Sequence, residues 1–465
     1  MLAAEFGAND DTARYTADGG ESFYAAMAQI GLRQSVISVR WQPSDPLTIP
    51  YANQLDHIIP IATKHGLRVV LSLYPYPPRE LEAGLASPSV FASWAAVVAR
   101  RYPQVRQVIV GNEPNQPAFW RPQFSRRDAG NVSAGTFGAY LAAAYDALKG
   151  VDPALQVIGA GISPRGNDRP GARSNVSTSP VRFLAALGQW YRSSGRTQPL
   201  MDGFSFHPYP ARATDPLNRG YEWPNAGFVD LARVKQAFWD AFAGTRQPTT
   251  VDGLRLYLDE VGWQVDTSFL SDYENLENVP VTDEYTQAIV YSDLVRRAQC
   301  DPDIAEVNVF GFYDDRNRLG FQAGLHRADG TPRPSAEAVR LAILEGSASC
   351  GSAAPWQPAT GVLGASAPRV AARRREIVVW SGAGEGVAVT ACIYPGDVPA
   401  TIAARLPAKA SGSPARCARG TARSPRPVRL SLPRTGATKR GGTLAVRLTA
   451  ETNAARTTSY TARFR

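Results

Sequence analysis

A chain of 465 residues exceeds what one hydrophobic core usually organises, so two domains are expected. Its 44% hydrophobic and 20% charged residues exclude a disordered chain, and no run approaches the ~18–20 apolar residues of a membrane-crossing helix. The net charge of +9 is uneven: from Gly361 onward 18 Lys and Arg stand against 4 Asp and Glu, which leaves the front of the chain mildly acidic.

The opening MLAAEFGAND has no basic run ahead of an apolar segment, which fits a cytosolic chain or a mature one whose leader has been removed. A short strand near 5–7 and a helix over 21–31 then begin a pattern that repeats. Strand-like runs follow as SVISVRW (35–41), LRVVLSLY (67–74), RQVIVGN (106–112) and LQVIGAG (155–161). They continue with MDGFSFHPY (201–209), LRLYLDE (254–260) and EVNVFGFY (306–313). These runs are rich in β-branched residues, as strands buried on both faces are. Each is followed by a stretch with helical spacing; in SPVRFLAALGQWYRS, Val181, Leu184, Leu187 and Trp190 fall on one face. Eight strand–helix units over 1–350 predict an α/β fold, a (β/α)8 TIM barrel, with a doubly wound open sheet as the runner-up. No glycine-rich phosphate turn follows a strand, and no clustered His/Cys spacing occurs, so neither a nucleotide cofactor nor a metal is expected.

Cys300 falls at the end of the seventh helix and Cys350 just past the eighth, which are neighbours in a barrel. A disulfide is expected there, a second between Cys392 and Cys417, and with them a secreted or cell-surface location. After a linker over 351–360 the texture changes to short alternating runs separated by Gly, Pro and Ser. Val428, Leu430 and Leu432 alternate with polar neighbours, as do Leu444, Val446 and Leu448, which predicts a small antiparallel β-sandwich over 361–465. Its arginine-rich surface is read as solvated, with contact to an anionic glycan or cell envelope as the sharper alternative. No nucleic-acid module accompanies the charge.

Barrel enzymes place their chemistry at the C-terminal strand ends. Here those ends carry Arg40 and Trp41, Tyr74, Asn112 and Glu113, His207 and Tyr209, Glu260 and Trp263, then Phe312 and Tyr313. Two glutamates closing the fourth and seventh strands, among aromatics, form the pair that retaining glycoside hydrolysis needs. GNEPN, LDEVGW, SVRW, FHPYP and the trailing GLHRADGTPRPSAEAV together resemble clan A of the glycoside hydrolases, with families thirty-nine and five nearest in texture. The resemblance covers about 1–345. It implies Glu113 as acid/base, Glu260 as nucleophile and Asn112 as partner of the sugar 2-hydroxyl. It also implies that Arg40 and Tyr209 hold Glu260 ionised and that His207 lines the same subsite. A tryptophan common at the end of strand eight is replaced here, so Phe312 or Tyr313 is expected as the sugar platform. Trp41, Trp263, Trp120 and Trp223 are further stacking candidates.

The expected function is hydrolysis of β-linked bonds in a poly- or oligosaccharide by double displacement. A catalytically inactive barrel that binds glycan is the alternative. The loops over 163–178, 210–227 and 264–281 are expected to shape the cleft. The last carries Asp266, Asp272, Glu274 and Glu277, which disfavours an anionic substrate at that rim.

Overall fold

The computed structural model describes residues 4–351, 354–367, 369–373, 376–380, 384–406, 416–422, 428–431 and 442–463. The chain folds as two units, one holding residues up to Tyr221 and Asn225–Trp356, the other Glu222–Pro224 and residues from Gln357 on. Among the described residues no helix is long and apolar enough to cross a membrane.

The first unit is a closed barrel of eight parallel strands in sequence order, with the eighth pairing back to the first. The strands are β1 (Glu5–Asn9), β2 (Gln34–Trp41), β3 (Arg68–Pro75), β4 (Gln107–Val110), β5 (Gln156–Ile162), β6 (Gly203–Phe206), β7 (Arg255–Val261) and β8 (Ile304–Phe310). Helices α1 (Glu21–Ile30), α2 (Ala52–Lys64), α3 (Pro78–Glu82), α4 (Pro88–Arg101) and α5 (Ser133–Val151) alternate with the first five strands. After them come α6 (Pro180–Ser193), α7 (Leu231–Phe242), α8 (Glu284–Cys300) and α9 (Pro334–Glu345). Starts are set locally. Pro opens α3, α4, α6 and α9 at a position where the missing N–H costs nothing, and the Asp283 carboxylate caps α8 by accepting from the Tyr285 and Thr286 amides at 2.9 Å.

Val36, Val70, Ile109, Ile158, Tyr257 and Ala305 form an apolar layer inside the barrel. At the N-terminal end, buried Glu306 accepts from Gln107 at 2.9 Å and from Arg68 at 3.0 Å, and Arg68 also pairs with Glu5. Burial pushes the Glu306 carboxyl up to about 7 despite these bonds. They line a cavity of about 550 Å³ at the end of the barrel away from the strand-end carboxylates, where they bind one another.

β8 ends three residues earlier than the sequence suggested. Gly311 N donates to Asn9 O at 3.0 Å as the last rung, and Gly311 then takes φ +75°, a conformation that glycine adopts without strain. The Asp10 carboxylate receives the next two amides, Phe312 N at 2.7 Å and Tyr313 N at 2.9 Å, and so draws the chain off the barrel axis.

The second unit has a three-stranded antiparallel sheet of β9 (Arg369–Arg373), β10 (Glu376–Trp380) and β13 (Val428–Ser431), ordered β13-β10-β9. A four-stranded sheet orders β12 (Arg416–Ala422), β11 (Val387–Tyr394), β14 (Thr443–Ala450) and β15 (Thr457–Arg463); α10 (Ala400–Ala404) follows β11. Val428 and Leu430 from one sheet pack with Val389, Ile393, Leu444 and Val446 from the other, which makes the core of a small sandwich. Leu432 lies outside the described residues.

Both disulfides are present. Cys392 and Cys417 sit opposite each other on β11 and β12, and Cys300–Cys350 ties the end of α8 to the chain beyond α9 across a sequence separation of 50. A loop of that length contributes about 4 kcal/mol in the chain-entropy treatment. Cys300→Ser combined with Cys350→Ser should therefore lower the denaturant midpoint of the barrel, followed by its tryptophan fluorescence, with a loss of up to about 4 kcal/mol.

Candidate active site at the strand ends

β4 delivers Glu113 through a turn that only glycine permits. Gly111 has φ +110°, and a Cβ there would sit 2.7 Å from the Phe137 ring and 2.8 Å from Ala160 O. Glu113 itself takes φ +39°, a left-handed conformation that costs a non-glycine residue roughly 1–2 kcal/mol. Fixed partners hold it there: Glu113 N donates to Gly161 O at 2.7 Å. Two residues on, fully buried Asn115 bolts the same loop to its neighbour, donating to Ser163 O at 3.1 Å and Thr178 O at 2.9 Å and accepting from Ser163 N at 2.9 Å.

β7 delivers Glu260 through a bulge. Leu258 pairs with Val307 and Val261 with Val309, so three steps on β7 face two on β8. The extra residue lets Asp259 and Glu260 approach the same group, as bulges beside active sites do. That group is His207, at the end of β6 and fully buried. Its Nδ1 lies 3.3 Å from Glu113 Oε1 and 3.4 Å from Glu260 Oε2, and its Nε2 lies 3.3 Å from Asp259 Oδ1. Tyr209 OH donates to Glu260 Oε2 at 3.0 Å, Asn9 Nδ2 to Glu260 Oε1 at 3.3 Å, and Ser205 Oγ to Asp259.

These neighbours set the charges. Burial alone would strip the proton from His207, but the carboxylates of Glu260 and Asp259 overcome it and hold the imidazole well above its ordinary pKa. For Glu260 burial dominates and pushes the carboxyl up to about 7. His207 pulls it down, Glu113 and Asp259 push it up, and the Tyr209 hydroxyl lowers it. Burial beside Glu260 and Glu113 also drives the Tyr209 phenol well above its usual value.

The structure brings Glu113, Glu260, His207 and Tyr209 together, and corrects the expected surroundings. Arg40 is exposed at the mouth; its Nε donates to Tyr74 OH at 2.9 Å and its guanidinium lies over the Tyr76 ring, without reaching Glu260. The polar contact to Glu260 from the early strands is Asn9 instead. His207 is sealed beneath the carboxylates and exposes nothing to a ligand. Asn112 is half-buried, with a side-chain amide that makes no hydrogen bond among the described residues.

Trp41, Trp263, Trp120, Trp223 and Phe312 are all buried, and for Trp41 the reason is strand parity. Trp41 follows inward-pointing Arg40, so it faces the helices and packs on Phe91 and Trp94 with no exposure. Trp263 is 2% exposed, donating to Asp215 O and packed against Tyr291. Trp120 and Trp223 are buried as well. Phe312, beyond the Gly311 turn, is fully buried against Phe23 and His326, and Tyr313 stacks on Phe312. Phe310 is the residue at the strand end, two steps beyond Asn308 and four beyond Glu306 on the same face. Its ring lies 6.2 Å from Tyr209 and 5.1 Å from Phe321. Counting forward in twos from Glu306 reaches it.

Glu113 and Tyr209 open into a cavity of about 520 Å³ walled by Phe119, Pro210 and Phe321. The far wall is braced by buried Arg333, which pairs with Asp314 at 2.5 Å and Glu284 at 3.0 Å. Arg318, buried, donates to the carbonyls of Thr267, Leu270, Tyr273 and Asn275.

No family model matches the chain, and no curated protein matches it in sequence. Solved structures do match in fold. A family 39 glycoside hydrolase from the gut symbiont Bacteroides cellulosilyticus WH2 superposes with a TM-score of 0.50 at 16% identity, covering 84% of this chain and 70% of that one. GH5_18 from Streptomyces cattleya, solved with GlcNAc, gives 0.50 at 17%, covering 78% and 84%. The fold is the one glycoside hydrolases of clan A share.

The raised pKa of Glu260 has a stability consequence. The folded site holds this proton more tightly than the unfolded chain, so the group's contribution is complete below about pH 4.5 and falls as pH rises toward 7. Glu260→Gln should therefore raise the melting temperature at pH 8, by an equivalent of about 1–3 kcal/mol, and leave it nearly unchanged at pH 4.

Proposed function

We propose that the protein is a retaining glycoside hydrolase that cleaves β-linked sugars in a poly- or oligosaccharide. The observation that carries this reading is the pair of strand-end glutamates sharing one imidazole nitrogen, at 3.3 and 3.4 Å, with Glu113 opening into a cavity that has aromatic walls. Two carboxylate oxygens that close to one atom favour the short spacing of retaining enzymes, ~5–5.5 Å, over the wider spacing that admits a water between them.

In this reading Glu113 gives its proton to the leaving oxygen while Glu260 attacks the anomeric carbon, so the glycosidic C–O bond breaks as the glycosyl ester forms. Glu113 then takes a proton from water, which attacks the same carbon and releases Glu260. Tyr209, Asn9 and His207 position the Glu260 carboxylate and stabilise its charge. Asn112, with its unbound amide, is the partner for a sugar hydroxyl, and Phe310 with Phe321 forms the apolar floor. The two disulfides support an extracellular setting. The basic C-terminal unit is read as a solvated surface, with contact to anionic glycan or envelope as the alternative.

Glu260→Ala should abolish turnover of aryl β-glycosides, and Glu113→Gln should slow it by about 10²–10⁴-fold. A 2-deoxy-2-fluoro glycosyl fluoride should label Glu260, located by peptide mass; a label on another residue contradicts the assignment. Because Glu260 must be ionised to attack, kcat/KM should rise with pH through about 7. Tyr209→Phe, which removes a hydrogen bond that lowers this pKa, should move the rise to higher pH.

A further inference from the structure

Two arginines stand beside the cavity that holds Glu113. Arg165, in the loop after β5, donates to Ala211 O at 3.1 Å, and no carboxylate pairs with it among the described residues. Arg212, in the loop after β6, is exposed; its backbone amide and carbonyl are both engaged with Asp215, and its guanidinium has no hydrogen bond or ion pair among the described residues. Two other arginines nearby have carboxylate partners: Arg182 of α6 binds Asp168 at 2.9 Å and Arg219 lies 3.5 Å from Asp215.

The acidic loop after β7 does not oppose them. Its contributions to the cavity are Gln264, Val279 and Pro280. Asp266 is occupied by the Ser268 amide at 2.8 Å and Glu277 by the Asn278 amide at 3.3 Å. Glu113 is the one carboxylate among the lining residues, so the rim beside it is cationic. The opposite wall offers an independent sign of a polar ligand. Gln264 is 8% exposed, and its side-chain oxygen is buried with no hydrogen-bond partner among the described residues, an arrangement that costs free energy until a donor arrives.

We propose that this cavity takes a saccharide bearing an anionic substituent, a carboxylate or a sulfate, bound by Arg165 and Arg212 while a sugar hydroxyl donates to Gln264. The sugar part rests on the glycosidase reading; the anion part rests on the arginines. A guanidinium matches either group through two parallel N–H bonds, and a neutral sugar would leave both charges unanswered.

The test pairs anionic oligosaccharides with neutral counterparts of the same backbone: glucuronoxylan and polyglucuronate against their carboxyl-reduced forms, and chondroitin sulfate against its desulfated form. Binding is measured by calorimetry on full-length Glu260→Gln protein, and hydrolysis on wild type. The expected result is at least roughly tenfold tighter binding of the anionic member in a pair, weakening with salt. Preference within the carboxylate pairs identifies a uronate, and preference within the sulfate pair a sulfate ester. Arg165→Gln with Arg212→Gln should erase the preference and leave the neutral member's affinity in place, whereas a merely structural role would weaken both. Equal binding within every pair, or no binding to any probe, overturns the proposal. Preference without hydrolysis of any probe keeps the anion site and contradicts the hydrolase reading.

Discussion

The site depends on one buried imidazole holding three carboxylates. Glu113, Glu260 and Asp259 all lie within 3.4 Å of His207 nitrogens, in surroundings where like charges repel strongly. A cation at their centre offsets the repulsion that burial strengthens, and it pulls the Glu260 carboxyl down against that burial. The imidazole needs them in turn, since burial would otherwise remove its proton. Ser205 on Asp259, with Tyr209 and Asn9 on Glu260, then fixes which oxygen faces which neighbour.

Barrel geometry alone would not assemble this cluster. Strands alternate their side chains, so Asp259 and Glu260 on a regular strand would point to opposite faces. The β7 bulge removes that conflict, and the Gly111 turn followed by left-handed Glu113 performs the matching adjustment on β4. Both are local departures from ideal geometry, and both are held by neighbours: Asn115 ties the loops after β4 and β5, and the Arg333–Asp314 pair with Arg318 ties those after β7 and β8. The rim thereby gains fixed walls although it is built from loops.

Much of this was legible in the sequence because the period of a buried parallel strand is unmistakable when repeated eight times. The two glutamates stood out because each ends such a run. The supporting residues were harder to see for physical reasons. Asn9 sits in a five-residue strand with little pattern, and Asp259 reads as one more polar residue beside a glutamate. Asn115 was in view within GNEPN, yet nothing in a sequence says that its amide will meet two carbonyls from another loop. The tryptophans suggest sugar stacking by size and chemistry, yet parity sends Trp41 to the core, and Trp120, Trp223 and Trp263, outside the strands, are buried as well. Phe310 was passed over for Phe312 because the turn at Gly311 was read as part of the strand. The acidic residues after β7 suggest a repelling rim, but Asp266 and Glu277 accept from local backbone amides and the cavity meets Gln264 instead.

The central claim is that Glu260 and then water attack one sugar carbon in succession, with Glu113 as acid and then base, each attack inverting the carbon. The most direct measurement is the anomeric configuration of the first-formed product, followed by proton NMR during hydrolysis of a β-linked substrate before mutarotation sets in. The account predicts the β-anomer first, with the α-anomer growing only as the free sugar equilibrates. An α-anomer appearing first would mean a single displacement by water, and would contradict the role assigned to Glu260.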